Sequence, residues 1–175
     1  MQKVPRFLMI FIIAFSAFSF SDPYKGKINW ISITELNELY NKDPKPILLD
    51  VYTDWCGWCK EMDRTTYKNE KLANYINEHY YAVRLNAESP DSILFNNKKY
   101  GYKARYKSNE LAEYLLFGQM EFPTTVFLPT IDARPAPLSG YMTAKEMEAP
   151  LKFFGEGFHK TQTFVEYNKT MKKEW

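Results

Sequence analysis

Ile47-Leu48-Leu49-Asp50-Val51-Tyr52-Thr53-Asp54-Trp55-Cys56-Gly57-Trp58-Cys59-Lys60 is the stretch on which the reading of this 175-residue chain turns. Residues 47–52 are too continuously apolar for a strand with one wet face, so they predict a central strand covered on both sides, with Asp50 as the exception inside it. The segment after Lys60 has helical character. The two cysteines of the chain therefore fall at a strand-to-helix junction, three positions apart. There the first thiol meets the unpaired N–H groups and positive dipole end of the helix, which favour a thiolate, and the second lies one turn on. A bridge between them closes too small a loop to restrain the unfolded chain much, so its value is chemical rather than structural.

Composition sets the frame. The chain is 45% hydrophobic and 17% aromatic, enough for one sizeable core and short for two. Lys3 and Arg6, then Phe7 to Phe20, then the small residues Ala17, Ser19 and Ser21 read as a secretory signal over 1–21, cut near Ser19 to Ser21, leaving a domain over 22–175. The apolar run falls short of the ~20 residues of a spanning helix. Removing Lys3 and Arg6 from the 23 basic residues leaves 21 against 21 acidic ones. A near-neutral protein gives no charge argument for nucleic acid. The expected setting is periplasmic or secreted, and the expected form is a monomer.

Outward from the cysteines, Ile28 to Ile33 predicts a short first strand. A helix capped by Ser32 or Thr34 follows it, with Leu36, Leu39 and Tyr40 on one face. Beyond the redox segment, Asn69 caps a helix with Leu72, Tyr75, Ile76 and His79 at helical spacing, and Tyr80 to Leu85 is the next strand. Strand, helix, strand in that order argues for a βαβ unit with parallel strands. Ser92 to Tyr102 reads as a hairpin turning at Asn96-Asn97. Between Ser92 and Asn109 stand five basic residues and no acid, interleaved with Tyr100, Tyr102 and Tyr106, which describes a solvated surface element or a docking surface for an acidic partner. A helix over Ser108 to Phe117, a strand led by Pro123, and a turn over Thr130 to Ser139 into a strand near Gly140-Tyr141 follow. A helix opened by the capping box at Thr143 to Glu146 and an amphipathic helix over Thr161 to Trp175 close the chain.

This order resembles the thioredoxin fold, and three local sequences strengthen the likeness. Asp50 precedes Cys56 by six residues as the family's buried acid does, Phe122-Pro123-Thr124 looks like its cis-proline loop, and Ser139-Gly140-Tyr141-Met142-Thr143 resembles its glycine before the last helix. Over Tyr52 to Asn86 the chain is most similar to secreted thioredoxin-like proteins of the group that includes the carboxy-terminal domain of DsbD. The resemblance implies an α/β fold with a central mixed sheet flanked by helices, an insertion over 87–107 before the cis-proline strand, and a carboxy-terminal extension over 155–175. Two residues depart from it: Trp58 replaces the usual proline, and Arg84 stands where thioredoxins carry lysine beside the buried acid.

The resemblance also implies roles. Cys56, the more exposed sulfur, attacks a partner's disulfide; Cys59 resolves the mixed disulfide; Asp50, with its pKa raised by burial, takes the proton of Cys59. Trp55, Gly57, Trp58, Phe122 and Pro123 form the substrate face, with Trp55 expected to pack at the core edge and Trp58 to stand exposed. An inert bridge or half a zinc site are the competing readings of the cysteines, but His79 and His159 lack finger spacing, and no metal or cofactor is expected. The function implied is an exported thiol:disulfide oxidoreductase reducing disulfide-containing envelope proteins and drawing electrons from a membrane thiol carrier. A disulfide oxidase or isomerase and a non-catalytic binding module of the same fold are the alternatives.

Overall fold

A computed structural model describes residues 24–175; the signal-peptide reading over 1–21 lies outside the described residues. Strand β1 (Trp30–Ile31) leads into α1 (Ile33–Tyr40), whose first turn is capped by Ser32 Oγ accepting from Glu35 N–H at 3.1 Å. Strand β2 (Ile47–Tyr52), helix α2 (Gly57–Arg64), a 3₁₀ turn (Thr66–Lys68), α3 (Glu70–His79) and β3 (Tyr81–Asn86) make the βαβ unit. Asn69 caps α3 as the sequence indicates, its side chain accepting from Leu72 N–H. Four short strands follow, β4 (Ile93–Phe95), β5 (Lys98–Tyr100), β6 (Tyr102–Lys103) and β7 (Ser108–Asn109), and then helix α4 (Glu110–Leu115), strands β8 (Thr124–Leu128) and β9 (Ala136–Ser139), α5 (Ala144–Gly155) and α6 (Phe164–Thr170).

The five-stranded sheet runs β1-β3-β2-β8-β9. Strand β2 lies parallel to β3 and antiparallel to β8, so the sheet is mixed and β2 is its middle. Period-two alternation divides β2 between two cores. Ile47, Leu49 and Val51 pack with Leu36, Val83, Leu111 and Leu115, whereas Leu48 packs with Met62, Leu72, Ile76, Phe127 and Leu151. Full burial of each such side chain contributes about 1.5–3 kcal/mol. Asp50 shares the parity of Leu48 and therefore faces the α2 side.

Residues 93–109 hold two small antiparallel pairs. The hairpin β4 (Ile93–Phe95) and β5 (Lys98–Tyr100) turns at Asn96-Asn97, both at positive φ as a two-residue turn requires. The bridge β6 (Tyr102–Lys103) and β7 (Ser108–Asn109) brings the chain to α4, which Asn109 caps. The hairpin is more than a solvated surface: Phe95 and Tyr100 are buried in the core beside α1 and α4, while Lys98 and Lys99 face water.

Three expectations are revised. Residues 136–139, taken as part of a turn, form β9, which tolerates Pro137 because it is an edge strand. The first strand is only two residues long, because Ser32 opens α1. The carboxy-terminal helix covers only Phe164–Thr170, started by a capping box at Thr163 and Glu166, and 171–175 run on as an irregular tail. That tail is held by Glu148, a fully buried carboxylate in α5. It accepts from Lys152 Nζ at 3.0 Å and from the N–H groups of Glu174 and Trp175 at 2.8 and 3.1 Å. Burial opposes its charge, but these donors prevail and hold its carboxyl below the ordinary range. Replacing it leaves two amides without their acceptor and Lys152 with Glu174 as its remaining carboxylate, so Glu148→Ala is expected to lower the unfolding free energy by about 3 kcal/mol in urea denaturation at pH 7.

Candidate active site

Cys56 is the amino-terminal cap of α2, four residues beyond the end of β2. It is disulfide-bonded to Cys59, and its Sγ accepts from Cys59 N–H at 3.0 Å. No acidic residue sits in the first turn of α2 to oppose a thiolate. Both cysteines are 4% exposed, so the expectation that Cys56 is the more exposed sulfur does not hold; the two differ in that Cys56 caps the helix and Cys59 lies one turn into it. Nothing lies within 4 Å of where a side chain on Gly57 would begin, which leaves the approach to the pair open.

Two tryptophans flank the disulfide. Trp55 is 66% exposed, which corrects the expectation that it packs at the core edge. Its indole N–H reaches the Glu88 carboxylate at 3.1 Å and its edge meets Phe122, an arrangement that fixes the ring without burying it. Trp58 is 64% exposed, as expected, and rests at 5.5 Å on Tyr141. The Thr65 hydroxyl donates to Glu61 C=O, so the Tyr141 hydroxyl donates to Thr65 Oγ1 at 3.0 Å and ties the loop after β9 to the end of α2. The Phe122–Pro123 bond is cis, and Pro123 C=O accepts from Gly140 N–H at 2.8 Å. The structure thus joins Phe122 to Trp55, while Tyr141 and Glu88 are contacts the sequence reading missed.

Asp50 is almost fully buried on the face of β2 that α2 covers, and Arg84 joins it to Asp63 of that helix. Tyr67 donates its hydroxyl to Oδ1 at 3.2 Å, and Arg84 donates Nε to Oδ2 at 3.1 Å. Burial pushes the Asp50 carboxyl up to about 6, against the opposing pull of Arg84. Arg84 also donates to Asp63 on α2 at 2.9 Å. Asp63 had a legible signal: it follows Cys59 by four residues on the same helix face. His79 stacks on Tyr75 and His159 lies near Phe153 and Phe154, both away from the cysteines. Among the described residues no cluster of histidine, cysteine and carboxylate fit for a metal occurs.

A model of a thioredoxin-like domain matches residues 35–155. The thiol:disulfide interchange protein DsbD of Pectobacterium atrosepticum is 26% identical over 129 residues, covering 70% of this chain and 19% of that protein. DsbD of Neisseria meningitidis serogroup A is 31% identical over 102 residues, covering 57% and 14%. The chain spans less than a fifth of the length of these relatives. Among solved structures, a thioredoxin-fold protein from Helicobacter pylori superposes with a TM-score of 0.55 at 23% identity, covering 71% of this chain and 83% of that one. DsbH oxidoreductase gives 0.52 at 19%, covering 79% and 92%.

The Asp50 shift has a stability consequence. A carboxyl raised to about 6 in the folded state and near 3.8 when unfolded favours folding below the lower value and loses that contribution as pH rises through 6. The expected loss is about 2.5 kcal/mol between pH 4 and 7, from ~1.4 kcal/mol per unit. Asp50→Asn lacks this loss, so its stability relative to the parent should grow over the same window in urea titrations of the oxidised protein.

Proposed function

The chain belongs to the thioredoxin-like family, and on that footing we propose that it is an exported thiol:disulfide oxidoreductase that reduces disulfides of envelope proteins through Cys56 and Cys59. The observation that carries the reading is the Cys56–Cys59 disulfide at the amino terminus of α2, on the helix that covers the buried carboxyl of Asp50. The sequence match to thiol:disulfide interchange proteins supports exchange between thiols and disulfides as the chemistry. Residues 1–21 support export as a signal peptide. The likeness to the DsbD group supports a membrane thiol carrier as the source of electrons.

In the reduced protein, the Cys56 thiolate attacks one sulfur of the partner's disulfide. A Cys56–partner bond forms, and the first partner sulfur leaves as a thiolate that takes a proton from solvent. Cys59 then passes its proton to Asp50 and attacks Cys56 Sγ, expelling the second partner sulfur, which is protonated in turn. Two electrons move from the dithiol to the partner, and Cys56–Cys59 is left oxidised. Trp55, Trp58, Gly57 and Phe122 present the surface on which the partner lies, and the backbone beside Pro123 pairs with its extended chain.

Pre-reduced protein should reduce a protein disulfide such as that of insulin, and Cys56→Ser should abolish turnover, by at least about a hundredfold given that the nucleophile is removed. Cys59→Ser should instead accumulate a mixed disulfide at Cys56, identifiable by mass spectrometry of envelope extracts. Turnover by the Cys56→Ser protein would sink the reading. A reduction potential well above that of the surrounding thiol pool would reverse its direction to oxidation, with ~30 mV equivalent to ~1.4 kcal/mol.

A further inference from the structure

The turn that joins β6 to β7 carries Arg105, Tyr106 and Lys107, all exposed. Tyr106 N–H donates to Lys103 C=O at 3.0 Å and closes the turn, and Lys107 follows at a φ of 51°. Lys103 Nζ and Ser108 Oγ, one from each strand, both donate to the Glu113 carboxylate of α4. The base of the turn is therefore fastened to the helix while its tip faces water.

This turn stands at the redox end of the sheet. Tyr102 pairs with Asn109, whose N–H donates to Ala87 C=O at 2.7 Å, and Ala87 N–H donates in turn to the C=O of Tyr52, where β2 ends. Glu88, the next residue, holds the Trp55 indole. The turn at Asn96-Asn97 lies elsewhere, sharing a groove with Tyr40 and Asn41 at the end of α1 and with Ile131 after β8. That is the opposite pole of the sheet, because β8 begins beside Val51 and ends beside Ile47.

Of the five basic residues between Ser92 and Asn109, Lys103 alone is ion-paired among the described residues, to Glu110 and Glu113. Arg105 has no carboxylate partner and lies over the Tyr106 ring, 5.6 Å from its centre. Lys107 has none either, and its backbone makes it the more telling of the two. A left-handed φ is disfavoured for lysine, and the turn at 96–97 meets the same need with asparagine, which tolerates it better. A strained lysine at an exposed tip, bonded to nothing, is accounted for by a partner for its charge.

We propose that this turn is a docking point for an acidic segment of the partner protein whose disulfide Cys56 attacks. Arg105 and Lys107 pair with the segment's carboxylates, and the exposed rings of Tyr102 and Tyr106 lie against it. This rests on the oxidoreductase reading above. An anionic membrane surface fits less well. Glu110 and Glu113 of α4 border the turn, as does the loop carrying Glu88 and Asp91, and a bilayer would meet them with like charge. A single extended chain need touch only the tip.

The test compares Arg105→Gln, Lys107→Asn and their double variant with the parent, and with a control carrying Lys98→Gln and Lys99→Gln, which removes the same charge near the far turn. The probes are two disulfide peptides identical around the disulfide, one followed by a short run of aspartates and the other by serines. Binding to the oxidised protein is read from the amide shifts of residues 102–109 by NMR, and reduction by the pre-reduced protein as kcat/KM. The parent should favour the aspartate peptide about tenfold in kcat/KM at low ionic strength and lose that preference at ~0.5 M salt. The double variant should lack the preference at either salt, with kcat and the use of the serine peptide unchanged, while the control keeps it. Lys107→Asn should also raise the midpoint of urea unfolding, which separates its loss of preference from damage to the fold. Equal losses in the double variant and the control would reduce the effect to net charge and overturn the proposal. Equal use of the two peptides by the parent would overturn it too, as would binding to phosphatidylglycerol vesicles, abolished in the double variant, in place of the peptide preference. If the aspartate peptide shifts the turn amides of a parent that reduces neither peptide, the docking point stands and the oxidoreductase reading falls.

Discussion

A carboxyl group buried in the middle strand of the sheet is the constraint on which the rest of the site depends. Strand β2 is covered from both sides, so Asp50 has no water to solvate it and must find its partners among fixed neighbours. Tyr67 and Arg84 supply two hydrogen bonds, too few to cancel the desolvation, and the carboxyl stays readily protonated near neutral pH. A group tuned this way is a poor stabiliser and a serviceable base. Placing it on β2 also places it in relation to the cysteines, because α2 begins four residues after the strand ends and cannot drift from it.

Around the disulfide, apolar surface is left in the open and held by its edges. Trp55 is tethered by Glu88 and Phe122, and Trp58 by Tyr141, which is itself bonded to Thr65. Two large rings on either side of a redox pair carry the features of an interface anchor: much apolar area, little freedom to lose on binding, and a polar handle at the rim. Burial in the core would have removed that area from any partner. The correction at Trp55 thus bears on function as well as packing.

The pattern of β2, the caps at Ser32, Asn69 and Thr143, the turn at Asn96-Asn97 and the spacing of Asp50, Cys56 and Cys59 were all legible, because each is a local rule written in consecutive residues. What escaped reading depends on contacts across the chain. Nothing local marks Glu148 as buried, since its donors arrive from 26 and 27 residues away. Pro137 reads as a turn residue until the sheet order puts it on an edge. Phe95 looks like one residue of a solvated hairpin until the hairpin folds back on α1. Arg84 beside Asp50 was legible from the family resemblance; its bond to Asp63 was not, because it requires knowing how α2 lies on the sheet.

The two additions to the common fold leave the site accessible, and the reason is where each finds its apolar partners. The insertion buries Phe95 and Tyr100 against the core of α1 and α4, on the face of the sheet away from α2. The carboxy-terminal segment packs Tyr167 on Ala149 and Phe153 of α5, and its tail is fastened to Glu148 and laid against Tyr75 of α3. Neither covers the start of α2, where Gly57 faces open space and Trp58 stands out. Extra sequence here adds buried area to the frame that holds Asp50 and α2 in register. Packing added at the start of α2 would instead cover Cys56 and the exposed ring of Trp58.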